Sequence, residues 1–541
     1  MGAEPDTLDS DLGPDMRRGA ETPPGQALGP AGHPPTRSDA AVEGGVTAAG
    51  PSGAQVRPLA RQSLTYGLGE LGGRLAALAM VPVLARALGP GDFGLMELGN
   101  TIGAACMVIF SLGMGSAVQR EYFEGPPDGH PLVVSTGLWT LMAWVAVAAT
   151  PVVAAATPLA QRLLGGGSRA GLLQLVVLVT AGSVLFGFAK DTIRLHFRPA
   201  RFIFLNVGQG VTAAAGILAA LVWFGPAVTT VYLGTLAALL LFVPAGMWSV
   251  RRDLAPVFSV PLCRRMLAFG LPLAFSIIPE WTLSLADRLF LSRYSTLAEI
   301  GQYSIAVKVA SVLMLVTAGF QQAWSPYLFA LLNSGTDYRP VLARVLTGLT
   351  LLLAGVGLPL TIFAPEAIRV VAGPGYERAA AAVWLLILGN VAVSLNNILA
   401  YGIAIQRKTY FFILLPGIAA STNLILNVFL IPPMGMLGAA WATAASYLLL
   451  SALYYRTSQR LIPVALPVKR VSLVLVGLAT VGFLAATWPA WAVGSTLAMK
   501  SLLLAGAWAL AVALLLSPDD RRRLWALAAA RWPGNGRPWG A

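Results

Sequence analysis

The chain has 541 residues, of which 56% are hydrophobic and 11% charged, with a formal net charge of +13. Soluble domains carry about 25% charged residues, so this chain lacks the polar surface to cover a water-soluble particle, and lipid must be the solvent for much of it. The basic excess does not mark a nucleic-acid binder, because Lys and Arg fall in short loops between apolar runs, the pattern of loops kept on the cytoplasmic side of a membrane.

Residues 1–56 are rich in Pro, Gly, Ala and acidic residues and hold no apolar run. They read as a disordered cytoplasmic tail, not a signal peptide, since no hydrophobic segment follows the first positive charges. Fourteen apolar runs follow, each long enough for the ~20 residues of a spanning helix. The first two, at about 63–88 and 93–119, are joined by a tight Gly89-Pro90-Gly91 turn. The next four are expected at about 132–156, 171–195, 202–223 and 227–249. Six more lie at about 266–291, 299–331, 341–364, 379–405, 409–431 and 437–459. The last two lie at about 470–487 and 495–516. The fold class is therefore all-α, a polytopic membrane protein. A cytoplasmic tail at 518–541 carries Arg521, Arg522 and Arg523, with Trp525 and Trp532 at headgroup level.

Loops after even-numbered spans hold most of the basic residues, among them Arg194, Arg198, Arg251, Arg264, Arg339, Arg407 and Arg460. This bias predicts both termini in the cytoplasm. A weak internal repeat is also visible. Arg86, Asp92 and Gly94 match Arg293, Glu299 and Gly301 at an offset of 207, and residues 201–204 resemble 409–412 at 208. Two six-helix lobes follow, 57–255 and 256–462, with two extra helices at 463–517. Six spans per half make the repeat parallel, about an axis along the membrane normal, with the substrate site between the halves.

Charges inside the spans are the candidate chemistry, since an intramembrane charge costs at least ~3 kcal/mol and faces a partner or a wet cavity. Glu70 and Arg74 are four apart on one helix face, and Glu97 sits in the second span. Span seven carries Pro279, expected to kink the helix beside Glu280, and further on Asp287 and Arg288, expected near the outer end and solvated. Lys308 lies too deep in span eight to reach the membrane surface. With Arg74 it makes a cavity cationic and suited to an anionic substrate, unless Glu97 or Glu280 neutralises it. Asn390, Asn396, Asn397, Asn423 and Asn427 read as packing amides, with sugar binding as the alternative. Cys106 and Cys263 and the three histidines form no metal-ligand spacing. No nucleotide-binding or hydrolase motif is present, so the chain is read as a non-enzyme whose transport is driven by a gradient.

The stretch Pro82 to Gly89 with Asp92-Phe93-Gly94-Leu95 resembles the opening hairpin of the Wzx-type polysaccharide flippases. These belong to the multidrug/oligosaccharidyl-lipid/polysaccharide exporter superfamily. Similar likenesses are Phe269-Gly270-Leu271-Pro272 with Asp287 to Leu291 and Gly301-Gln302-Tyr303, then Ala364-Pro365-Glu366 with Gly373, Gly375 and Tyr376. The last is Asn423 to Pro432 followed by Gly435, Gly438 and Ala442-Thr443. The resemblance implies a two-lobed bundle in the bacterial plasma (inner) membrane. It would move a polyprenyl-pyrophosphate-linked oligosaccharide, a precursor of cell-surface polysaccharide, between leaflets by alternating access. Partners would be that lipid-linked glycan, membrane lipids, and a polysaccharide polymerase or glycosyltransferases. Arg74 and Lys308, with Arg86 and Arg293, would shelter the pyrophosphate. Glu70, Glu97, Glu280 and Asp287 would couple transport to H+ or Na+, with no other cofactor and no resident metal. A lipid II flippase, a drug/cation antiporter of the same superfamily, and a membrane scaffold for cell-envelope synthesis stand as alternatives.

Overall fold

The structure, a computed structural model, describes residues 53–487 and 493–516. The two expected tails lie outside the described residues, apart from residues 53–56, which open the first helix. The described residues from Leu59 onward form one compact unit. All regular structure among the described residues is helical. In hydrocarbon every backbone N–H and C=O must be satisfied within its own segment, which leaves the helix as the way to cross.

The first half comprises α1 (Gly53–Ser111), α2 (Met114–Glu124), α3 (His130–Ala154), α4 (Ala156–Leu163), α5 (Ala170–Leu195), α6 (Pro199–Phe224) and α7 (Val228–Ser249). The second half opens with α8 (Val260–Ser276), α9 (Ile278–Tyr294), α10 (Leu297–Asn333), α11 (Arg339–Ile362) and α12 (Ala364–Val371). It continues with α13 (Ala380–Leu399), α14 (Tyr401–Ile405), α15 (Phe411–Met434) and α16 (Met436–Leu461). Finally α17 (Val468–Thr487) and α18 (Val493–Leu515) pack against α11. Among the described residues twelve helical runs are long and apolar enough to span a membrane, or thirteen when α8 and α9, bent by 44°, count as one. The first of these runs, Ala76–Glu124, passes through the break at Gly89. The chain is thus a multi-pass membrane protein, with twelve or thirteen such runs among the described residues against the fourteen expected, the first two expected spans falling in the single run Ala76–Glu124.

The breaks have identifiable causes. Gly89 takes φ 69° inside α1, a conformation that needs glycine, and Pro90 restarts the helix at once. Leu112 and Gly113, at φ 51° and 64°, separate α1 from α2. The α8–α9 bend falls at Ile277, two residues before Pro279, as the missing backbone donor of proline dictates. The short helices α4 and α12, which hydropathy does not reveal, follow Ala155 (φ −93°, ψ 21°) and Phe363 (φ −99°, ψ 21°). Those two residues stand 208 apart, and so do Pro151 and Pro359 in the last turns of α3 and α11.

Two glycine crossings bring the halves of the chain together. A Cβ on Gly94 would strike the Leu297 carbonyl oxygen, and one on Gly301 would strike that of Pro90. The contact is reciprocal: Pro90 and Leu297, like Gly94 and Gly301, are 207 residues apart. The second crossing sets Gly113 against the Gly270 carbonyl, and Gly270 in turn faces that of Leu112.

Candidate functional site

Between these crossings lies a cluster of buried charge. Glu97, only 5% exposed on the second arm of α1, pairs with Lys308 of α10 at 3.4 Å. Asn100 Nδ2, one turn on, donates to Glu97 Oε1 at 3.3 Å, and Tyr232 of α7 donates its hydroxyl to Asn100 Oδ1 at 2.9 Å. Beside them Arg288 Nη1 meets Asp287 Oδ1 at 3.3 Å, both side chains being at most 4% exposed. Arg288 Nε also donates to Ser304 Oγ at 3.4 Å, and Nη1 to the Ser284 carbonyl at 3.2 Å. Tyr303 donates its hydroxyl to Asp287. Glu97 also acts electrostatically on Arg288, joining the two pairs into one network.

The cluster holds two carboxylates and two cations, so it is formally neutral, which is how buried charge is tolerated. Its members differ in access. Asp287 and Arg288 are sealed, whereas the Lys308 side chain keeps 34% of its surface exposed. Lys308 is therefore the one cation of the cluster that a guest can touch without dismantling the fold.

The structure corrects several expectations. Asp287 and Arg288 are not solvated near a helix end: they are 3% and 2% exposed, with Tyr303 hydrogen-bonded to Asp287 and its ring 5.7 Å from the Arg288 guanidinium. Arg86 does not enter the cluster. It is exposed three residues before the Gly89 break, and its Nη2 donates to the Val370 carbonyl at the end of α12. Arg293 is likewise exposed in the last turn of α9, its guanidinium 5.8 Å from the Tyr294 ring centre. Both sit where helices end, so their charge reaches the rim of the bundle. Glu280 is exposed in the first turn of α9 and acts on Tyr447 and Tyr454 of α16. The backbones of Glu70 and Arg74 belong to α1, and their side chains lie outside the described residues. Lys308 does have a carboxylate partner in Glu97, the neutralisation left open in the sequence.

Other functional groups escaped the sequence reading. Tyr303, Asn100, Tyr232 and Tyr447 carry no charge and read as ordinary span residues, yet all hydrogen-bond into or beside the cluster. Of these only Asn100 carried a sequence signal, three residues from Glu97 on one helix face; the tyrosines carried none. Lys500 of α18 pairs with Glu366 of α12 at 2.6 Å, tying the C-terminal helices to the second half. At the Gly89 end Tyr376 donates to the Ala85 carbonyl at 3.0 Å, and burial raises its phenol above the ordinary range.

The family profile described as "Polysaccharide biosynthesis protein" matches residues 83–381, more than half of the chain. The chain belongs to that family. The match runs from the Gly89 hairpin through the charged cluster to the start of α13. A succinoglycan biosynthesis transport protein, ExoT of Rhizobium meliloti, is 27% identical over 240 residues, covering 43% of this chain and 46% of its own length. A probable low-salt glycan biosynthesis flippase, Agl15 of Haloferax volcanii, is 23% identical over 404 residues, 72% of this chain and 81% of the relative. Among solved structures the chain resembles the lipid II flippase MurJ in an inward closed conformation. The TM-score is 0.67 at 13% identity, over 85% of this chain and 100% of that one. It also resembles the Vibrio cholerae MATE transporter VcmN, with TM-score 0.54 and 14% identity over 75% and 98%. At these identities the structural likenesses speak to the fold alone.

Proposed function

We propose that this family member flips a polyprenyl-pyrophosphate-linked oligosaccharide, a precursor of cell-surface polysaccharide, across the bacterial plasma membrane. It works as a secondary transporter with both termini in the cytoplasm, handing its cargo on to a polymerase or glycosyltransferases. The observation that carries the reading is Lys308, a one-third exposed cation held against nearly buried Glu97 in the interior of the bundle. A pyrophosphate cannot enter hydrocarbon unaccompanied, so the carrier must offer it positive charge and water on the way.

The mechanism is an exchange of partners. In the empty carrier Glu97 occupies Lys308, and the interior stays neutral. A proton on Glu97 releases Lys308 to the incoming pyrophosphate, and loss of that proton after delivery restores the resting pair. Sodium at Glu97 would serve the same logic, and Arg74 remains a candidate second cation. The 207-residue offset of the crossing at Gly94 and Gly301, and the 208-residue offset of the irregular helix ends, support a parallel repeat of two lobes that rock about the interface.

The second reading, a drug/cation antiporter, calls for an interior acid free of a compensating base, which the matched charges of this cluster disfavour. The decisive experiment is glycan export by cells carrying Lys308→Met in place of the native chain, with membrane levels of the protein monitored. Loss of surface polysaccharide at normal levels is expected. Undiminished export would overturn the assignment of Lys308.

A further inference from the structure

A second pocket lies wholly within the second half of the chain, away from the charged cluster. It encloses about 330 Å³ where the ends of α10, α13, α14 and α16 meet the start of α15. That is the low end of the ~300–1,000 Å³ typical of small-molecule sites. Gln321 and Trp324 come from α10, Asn396 and Asn397 from α13, and Tyr401 and Tyr454 from α14 and α16. No charged side chain lines it, although Glu280 acts on Tyr454 from α9.

Three polar groups here are already committed. Trp324 Nε1 donates to the Asn397 carbonyl at 3.1 Å, Asn397 Nδ2 to the Ser394 carbonyl at 2.9 Å, and the Tyr401 hydroxyl to the Ile462 carbonyl at 2.8 Å. Asn396 is the exception. It is 9% exposed, and neither its Nδ2 nor its Oδ1 has a partner. Buried amides are almost always hydrogen-bonded, and one left with both ends open calls for a missing partner. Other span amides have at least one partner: Asn390 donates to the Ala310 carbonyl at 3.0 Å, and Asn427 Nδ2 donates to Asn423 Oδ1 at 2.9 Å, which leaves one amide atom open on each of Asn423 and Asn427.

We propose that this pocket binds an uncharged sugar ring of the carried glycan. A pyranose presents adjacent hydroxyls, each both donor and acceptor, which match the paired N–H and C=O of an amide. It also presents an apolar C–H face that suits the rings of Trp324, Tyr454 and Phe412. A charge-free lining excludes the pyrophosphate, which belongs with Lys308. The pocket opens among helix ends that border the loops after even-numbered spans, the side on which the proposed orientation puts the cytoplasm. The assignment rests on the flippase reading for the origin of the sugar, but the pocket's chemistry stands without it.

The test uses the full chain in lipid nanodiscs and saturation-transfer NMR with methyl glucoside, N-acetylglucosamine and glycerol phosphate as probes. Transfer to a sugar is expected, with binding weakened about tenfold by Asn396→Leu and by Gln321→Ala, as loss of one hydrogen-bonding partner predicts. Gln321 is exposed, so its substitution guards against misfolding of the Asn396 variant. Lys308→Met should leave sugar binding intact, which separates this site from the pyrophosphate site. No transfer to any sugar, equal transfer in both pocket variants, or transfer to glycerol phosphate alone would each overturn the proposal. In cells, sugar binding lost in Asn396→Leu with export unchanged would overturn the link to the carried glycan. Export unchanged in Lys308→Met would instead count against the flippase mechanism, leaving the binding result standing.

Discussion

Neutralising Lys308 and Glu97 together separates a structural ion pair from a substrate cation. At 3.4 Å and an effective dielectric of about 20, the gross attraction is about 5 kcal/mol. Desolvation and the 34% exposure of Lys308 reduce that sharply. Lys308→Met alone leaves Glu97, 6% exposed at its side chain, with only Asn100 and Arg288 to answer it, a loss of about 2 kcal/mol. Glu97→Gln combined with Lys308→Met removes the orphaned charge, and stability should return to within about 1 kcal/mol of the native chain. Export should not return, because no cation is left to meet the pyrophosphate. Lys308→Arg should retain export. Stability is read from thermal loss of the monodisperse peak of detergent-solubilised protein, and export from surface polysaccharide per copy of protein in the membrane. Native export by the doubly neutral chain would refute the reasoning, since Lys308 would then serve only to balance Glu97.

Other consequences of the packing are equally checkable. Arg288→Met or Asp287→Asn should each cost about 3–5 kcal/mol by leaving one sealed charge unpaired, and the double variant should cost much less than their sum in the same thermal assay. Gly94→Ala and Gly301→Ala should each destabilise the chain by about 1–3 kcal/mol through backbone collision, by similar amounts. Gly91→Ala, where a Cβ meets nothing within 4 Å, is the neutral control. Glu366→Ala should cost more than Lys500→Ala, about 3 against 1 kcal/mol, because Lys500 is 9% exposed and left stranded, whereas Glu366 is 38% exposed and can turn to solvent.

Hydropathy places the spans well because it reports directly on the solvent each segment meets, and the Gly89 turn is legible because glycine followed by proline admits few conformations. What tertiary contact decides stays hidden. The break at Leu112 and Gly113 answers to the carbonyl of Gly270, far off in the chain. The depth of Asp287 cannot be counted along a straight helix, since the bend at Ile277 redirects α9 beneath Tyr303. Arg86 looks like a cavity cation until its carbonyl partner on α12 is known. The pairing of Lys308 with Glu97 was one of two options in the sequence, and only packing chooses between Glu97 and Glu280.

The position of that pair bears on how such a carrier could work. At the 207-residue offset of the Gly94 and Gly301 crossing, Glu97 corresponds to Ser304, and Thr101 corresponds to Lys308. Ser304 and Thr101 are both fully buried. Each charge thus has a buried hydroxyl at the matching position of the other half, four residues from its ion-pair partner. The ion pair joins the halves across their interface and not within either. Any motion that parts the halves at this level must separate the pair, and each charge then needs its own compensation. On the proposed mechanism a proton would supply it for Glu97 and a pyrophosphate for Lys308, so cargo and coupling ion together would remove the obstacle to opening the empty carrier. The contact that would then permit loaded movement would also suppress a leak of the empty carrier.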